Sequence, residues 1–137
     1  MGLAVRAGRE GMEGEGMIEL RLSWPPSVNR IWRNVVLGRS ARTLLSAEGR
    51  AYFEREAMSV LAQRKDRRID GRASVEIVLH APTRAQVDID NRAKAILDAC
   101  TKGGLWADDS QVDVLVIRRA EVLRGGAAIV RAQEIAA

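Results

Sequence analysis

Apolar and polar residues alternate along Met17–Trp24: Ile18, Leu20 and Leu22 stand against Glu19, Arg21 and Ser23. A period of two predicts a strand with one face in a core. Pro25 and Pro26 end it, because proline has no N–H to offer a neighbouring strand. A loop through Asn29–Asn34 follows, and Val35–Leu45 predicts a short strand or a hairpin around Gly38. The period then changes. Between Ser46 and Lys65, Tyr52, Phe53, Ala57, Val60 and Leu61 recur at helical spacing. Ser46 is placed to cap the first turn, which Gly49 weakens. A polar, basic connector, Asp66–Arg72, leads to Ala73–His80, where Val75, Ile77 and Leu79 alternate with Ser74, Glu76 and Val78. That is a second strand, ended by Pro82. A second helix is predicted from Ile89 to Lys102, with Asp88 as its cap and Gly103-Gly104 as its stop. Gln111–Arg118 and Ala127–Gln133 predict two more strands, and Arg124-Gly125-Gly126 between them predicts a hairpin.

This order predicts an α+β fold, a mixed β-sheet with two main helices packed on it. Its 137 residues suffice for one domain with a sizeable core. Residues 1–16 are glycine-rich with no sustained apolar period, so a disordered tail is expected there and the folded domain over 17–137. Aromatic residues are only 4%, which leaves the core to Val, Leu, Ile and Ala.

Charge and cysteine content narrow the function classes. A net charge of +4 favours polyanionic partners, a weak signal by itself. From Arg30 to Arg72 there are 11 basic residues against five acidic ones. Arg30, Arg33, Arg39 and Arg42 share a polar region with Trp32 and Asn34, where guanidinium and indole planes can meet phosphates and exposed bases. A solvated basic face is the plain alternative. Cys100 is the single cysteine, which excludes an intramolecular disulfide and a thiolate zinc site. No apolar run reaches membrane-span length and no signal-peptide core opens the chain. A cytoplasmic protein without a membrane partner is expected.

The chemistry concentrates in Val87–Val112. Asp88, Asp90, Asp98, Asp108 and Asp109 place five carboxylates within 22 positions of a basic chain. Each pair has a bland reading: Asp88 and Asp90 as helix cap and dipole partner, Asp108 and Asp109 as turn residues. Together they have another. Mg²⁺ wants hard oxygen ligands, and carboxylates from two converging elements supply them. A chain returning antiparallel beside the first strand would bring Asp109 to Asp88 and Asp90. Lys94 lies one helical turn after Asp90, positioned either to contact a scissile phosphate or to form an i,i+4 ion pair, and Asp98 continues the row. Asn91 is a candidate to hydrogen-bond a ligand carboxylate. Cys100 reads as a buried small hydrophobe, the lone His80 as structural, and Trp24 and Trp106 as packing residues. With no nucleophile–histidine arrangement, a hydrolase here would rely on metal and carboxylates.

The ordered set Asp88-Ile89-Asp90-Asn91, Lys94, Asp98-Ala99, Lys102-Gly103-Gly104-Leu105-Trp106 and Asp108-Asp109-Ser110-Gln111-Val112 resembles the central signature of RusA endonucleases. Pro25-Pro26-Ser27-Val28-Asn29 with Arg33, and Ser46-Ala47-Glu48-Gly49 leading to Tyr52, resemble that family's opening. The resemblance runs from about Ile18 to about Ala132. It implies a homodimeric α+β enzyme, often prophage-encoded, that cuts four-way DNA junctions with Mg²⁺. Mn²⁺ is expected to substitute, and no small-molecule cofactor is implied. The family's essential acids map onto Asp88, Asp90 and Asp109, and its active-site lysine onto Lys94. Asp108 ranks below Asp109, in a supporting position with Asn91. Gln86 stands where a basic residue is often found, with Arg84 nearby as the remaining DNA contact at that rim. The competing readings are a non-catalytic branched-DNA-binding module that keeps the fold, and a metal-dependent transferase using a nucleotide sugar.

Overall fold

Ile18, Leu20 and Leu22 all turn into the core, with Glu19 and Arg21 facing out, so β1 (Ile18–Leu22) follows its period of two. The computed structural model describes residues 16–37 and 40–136, and for 28, 29, 32–37 and 40–44 the backbone path alone. Thus 15 of the 16 residues read as a tail lie outside the described residues. After β1 come α1 (Val28–Ile31), β2 (Trp32–Leu37), β3 (Ser40–Leu45), α2 (Ala47–Arg64) and β4 (Ala73–His80). Then follow α3 (Asp90–Lys102), a 3₁₀ turn at Asp109–Gln111, β5 (Val112–Arg119) and β6 (Ala127–Glu134). The expected α+β architecture holds: a mixed four-stranded sheet carries two main helices, and β2–β3 form a separate antiparallel hairpin.

Ser46 caps α2 as its position predicts. Its Oγ accepts from the Gly49 N–H at 3.0 Å and donates to the Arg30 carbonyl at 2.5 Å, which ties α2 to α1. Gly49 has a packing reason for being there. A Cβ at that position would stand 2.9 Å from both the Ile31 side chain and its carbonyl oxygen. Where α3 ends against α2, Gly103 plays the same part: a Cβ there would come within 2.5 Å of Val60. Gly104, at φ +83°, takes the left-handed conformation at this helix stop. The stop is therefore shared, Gly103 supplying close approach and Gly104 the turn.

On α3, Ala93, Ala95, Ile96, Ala99 and Cys100 are buried. Asp88 is not its cap. The helix begins after Ile89, itself helical, with no side-chain hydrogen bond at its first turn. Cys100 is fully buried, and burial pushes its thiol pKa up to about 12. We expect Cys100 to resist thiol-modifying reagents at pH 8 in the native protein and to react at once in denaturant. Rapid native labelling would contradict this packing.

The strand order is β1–β6–β4–β5. This corrects the expected β5–β6 hairpin. β4 lies between them, pairing parallel with β5 and antiparallel with β6. The connection 120–126 crosses the end of β4, where Ala120 N–H donates to Leu79 O and Leu123 N–H to Ala81 O. Glycine-rich connections suit tight turns, but burial of β4 between two partners decides the pairing here. That burial also overrides alternation: Glu76 and Val78 are as buried as Val75 and Ile77. Glu76 is paired by Arg118 at 3.2 Å from β5 and by Arg131 at 2.9 Å from β6.

Candidate active site

β4–α3–β5 is a parallel crossover, so the expected antiparallel return does not occur. Asp88 lies on the connector beyond the C-terminal end of β4, and Asp90 opens α3. Both are exposed, and neither carboxylate has a hydrogen-bond or ion-pair partner among the described residues. The connector is held from β5 by Arg119, whose guanidinium donates to the Val87 carbonyl. Asp109 sits at the opposite end of the crossover, in the turn leading into β5.

Lys94 joins the two segments. Its Nζ lies 2.9 Å from Asp98 Oδ1 and 3.4 Å from Asp109 Oδ2. The hydrogen bond to Asp98 is the largest influence on the Lys94 ammonium; with the Asp98 and Asp109 charges it outweighs burial and raises the pKa above its ordinary value. The i,i+4 partner is therefore Asp98, on the C-terminal side. Among the described residues, no three acidic, histidine or cysteine side chains stand together as a metal cluster. The structure brings Lys94, Asp98 and Asp109 together, and does not gather Asp88 and Asp90 onto Asp109.

Asp109 is presented by a built turn. Gln111 Oε1 accepts from the N–H groups of Ala107 at 2.9 Å and Asp108 at 3.1 Å. Its Nε2 donates to the carbonyls of Ile69 and Gly71 at 3.0 and 2.9 Å. Arg72 adds a bond to the Ser110 carbonyl at 2.6 Å. Asp108 accepts from Ser110 Oγ at 2.5 Å, the turn role foreseen as its plain reading. Asn91 is half-buried beside Asp90. His80 is structural as expected, its Nδ1 2.8 Å from the Glu121 carbonyl oxygen. Trp106 is buried with its N–H on Thr101 at 2.7 Å.

Of the proposed DNA contacts, Arg84 is exposed on the connector carrying Asp88. Arg30 is exposed at the end of α1, 3.5 Å from Glu48. The side chains of Arg33, Arg39 and Arg42 lie outside the described residues. The sequence reading missed Arg92. Its Nη1 donates to the Pro25 carbonyl at 2.5 Å, and its guanidinium lies 5.2 Å from the Trp24 ring centroid. Burial, then the charge of Arg30, holds its pKa below the ordinary value. A signal was present: a cation in the first turn of a helix opposes the backbone dipole and calls for another reason to be there.

The family model for endodeoxyribonuclease RusA matches residues 23–130, which include the connector, Lys94 and the Asp109 turn. This chain belongs to the RusA family. Among RusA relatives, the crossover junction endodeoxyribonuclease of Enterobacteria phage 82 is 37% identical over 107 residues, covering 78% of this chain and 86% of the relative. The protein of that name from Escherichia coli strain K12 matches with the same identity and coverage. The one from Shigella sonnei strain Ss046 is 36% identical over the same shares. The recognised resemblance is thus borne out, over nearly the stretch on which it was read.

Proposed function

We propose that this RusA-family chain is a metal-dependent endonuclease that resolves four-way DNA junctions by paired, symmetric phosphodiester cuts in recombination and repair. The observation that carries the reading is the contact of Lys94 with Asp109, 15 positions apart, which brings the lysine of the signature onto one of its acids. The names of the relatives point to the same substrate. The donor set suits Mg²⁺ in kind, being hard carboxylate oxygens, two of them free of protein partners among the described residues. Asp88, Asp90 and Asp109 are the residues we propose would hold the ion, with Mn²⁺ able to replace Mg²⁺. Among the described residues the three carboxylates do not meet in one cluster, so binding would have to draw Asp109 toward the exposed pair. When bound, such an ion would lower the pKa of water toward neutrality and offset charge developing at phosphorus.

The chain's own residues do the rest. Lys94, held by Asp98 and Asp109, would set its ammonium against a phosphate oxygen. Gln111 keeps the Asp109 turn in place, and Arg119 anchors the connector that bears Asp88. Asn91 and Asp108 support the acids, and Arg30, Arg33, Arg39, Arg42 and Arg84 hold the DNA backbone. Among the described residues, no helix is long and apolar enough to cross a membrane, and we place the reaction in the cytoplasm.

A junction with two-fold symmetry needs two sites, and a symmetric homodimer provides them. Here β5 is one of the two outer strands of the sheet, and Val114, Leu115 and Val116 are 46%, 39% and 40% exposed on it. An apolar open edge is a template for pairing with a second copy. Val116→Lys is expected to turn a dimer into a monomer by size-exclusion chromatography with light scattering. A monomeric parent protein would refute the dimer through this edge.

The deciding experiment is Mg²⁺-dependent cleavage of a synthetic mobile four-way junction beside linear duplex. Symmetric nicks in the junction alone support the proposal. Junction binding that stays inert with both Mg²⁺ and Mn²⁺ would instead make this a non-catalytic branched-DNA-binding module.

A further inference from the structure

Between the β1–α1 loop, the start of α2 and the start of α3 lies a cleft of about 400 Å³, lined by Trp24, Arg30, Glu48, Tyr52, Arg55 and Arg92 among others. Three of those are cations and one is an acid. Arg92 has five N–H donors, yet among the described residues its one hydrogen bond goes to the Pro25 carbonyl. Its Nε is buried without a partner. Arg55 is paired through Nε with the buried Glu56 at 2.8 Å and touches Ser23 Oγ at 3.3 Å. Its guanidinium lies 5.7 Å from the Tyr52 ring centroid. Arg30 meets only the half-exposed Glu48 carboxylate, at 3.5 Å, among the described residues.

Two guanidinium groups resting on aromatic rings are held in place with N–H edges to spare. Such a fork suits tetrahedral phosphate oxygens, which accept several hydrogen bonds from fixed directions. Arg30 and Arg92 also repel each other, and an anion between them would relieve that repulsion. We propose that this cleft is a phosphate-binding subsite, in which Arg92, Arg55 and Arg30 hold a backbone phosphodiester away from the one that is cut.

The placement fits one strand passing the head of α3. Arg92 follows Asp90 by two positions, about 200° around a helix, so the cleft and the carboxylates lie on opposite sides of it. A helix with side chains is about 10–12 Å across. At about 3.4 Å of rise per nucleotide, the two sites are about three nucleotides apart. The positive end of the helix dipole faces the strand between them. This subsite rests on branched DNA being the substrate, and its test separates the two.

Junction affinity is measured over a salt series for the parent protein, Arg92→Leu and Glu48→Gln. Arginine side-chain Nε–Hε resonances of the protein alone are followed during titration with inorganic phosphate. Arg92→Leu should weaken junction binding about tenfold near 0.1 M salt and reduce the log–log salt slope by about 0.9, one lost phosphate contact. Glu48→Gln removes the acid lining the cleft and should tighten binding about threefold, a gain that misfolding does not produce. Phosphate should shift the Arg92 and Arg55 resonances. If the parent binds and cuts junctions while neither substitution moves affinity or slope, the subsite is wrong and the substrate reading stands. If phosphate shifts those resonances and Glu48→Gln tightens it, but junctions are neither bound nor cut, the site takes free phosphate and the DNA reading falls. Unshifted resonances with an unchanged slope would overturn the subsite outright.

Discussion

Asp90→Asn is expected to slow junction cleavage by about a thousandfold, the equivalent of about 4 kcal/mol of lost transition-state stabilisation, with junction affinity nearly unchanged. The substitution keeps the size of the side chain and removes one charged oxygen from the proposed ligand set. It does little to the fold, because Asp90 is exposed at the first position of α3 and bonds no other described side chain. Loss of its favourable dipole contact costs about 0.3–1 kcal/mol. Binding, by contrast, is proposed to draw on arginines set elsewhere. Single-turnover cleavage in Mg²⁺, beside gel-shift binding in its absence, separates the two effects. Parallel loss of both would show that Asp90 supports the architecture or the DNA contact, and would remove it from the proposed metal ligands.

The second large effect lies in the sheet. Glu76→Ala is expected to destabilise the protein by about 2–3 kcal/mol, because it takes the shared acid from two arginines that are themselves partly buried. Glu76 is 2% exposed and receives Arg118 on one oxygen and Arg131 on the other. Arg131 retains Glu19 at 2.7 Å, whereas Arg118 has no second acidic partner among the described residues. Total stabilities of about 5–15 kcal/mol make such a loss plain in a urea titration. Replacing Glu76, Arg118 and Arg131 together by apolar residues should recover most of it. A single-mutant loss below about 1 kcal/mol would mean that water reaches these guanidinium groups freely.

Much of this was readable from the residues, for physical reasons that differ by element. β1 was legible because it has one face in the core and one in water, so its period is written in the chain. α2 was legible in extent, but of its apolar stripe Tyr52, Phe53 and Val60 are buried while Leu61 is half-exposed and Glu56 is buried in its stead. α3 was legible in extent, though its first turn was not: an acid before a helix reads as a cap, but Ile89 holds that position and Asp88 stays exposed on the connector. Strand order was illegible. β4 is covered on both sides, so Glu76 looks like a solvent-facing residue until its arginine partners, 42 and 55 positions away, are placed. The same holds for the site. The signature named Lys94 and Asp109, but their contact depends on the turn that Gln111 holds. Arg92 reads as an ordinary polar residue until Trp24 and Pro25 fold beneath it.

The position of β6 has a consequence for how the protein comes into being. Ile18 lies opposite Ala132 and Ala73 opposite Glu134, so the first strand made finds its neighbour 114 positions later. Until Ala127–Glu134 has been synthesised, β1 has no partner in the sheet and β4 has one open side. Growing chains on the ribosome therefore hold the helices and β4 in a half-built state, with apolar strand faces exposed. Assembly that waits on such distant pairing is slow and open to aggregation. A premature stop before residue 127 yields no smaller working version of the enzyme: it leaves a sheet with its second strand missing.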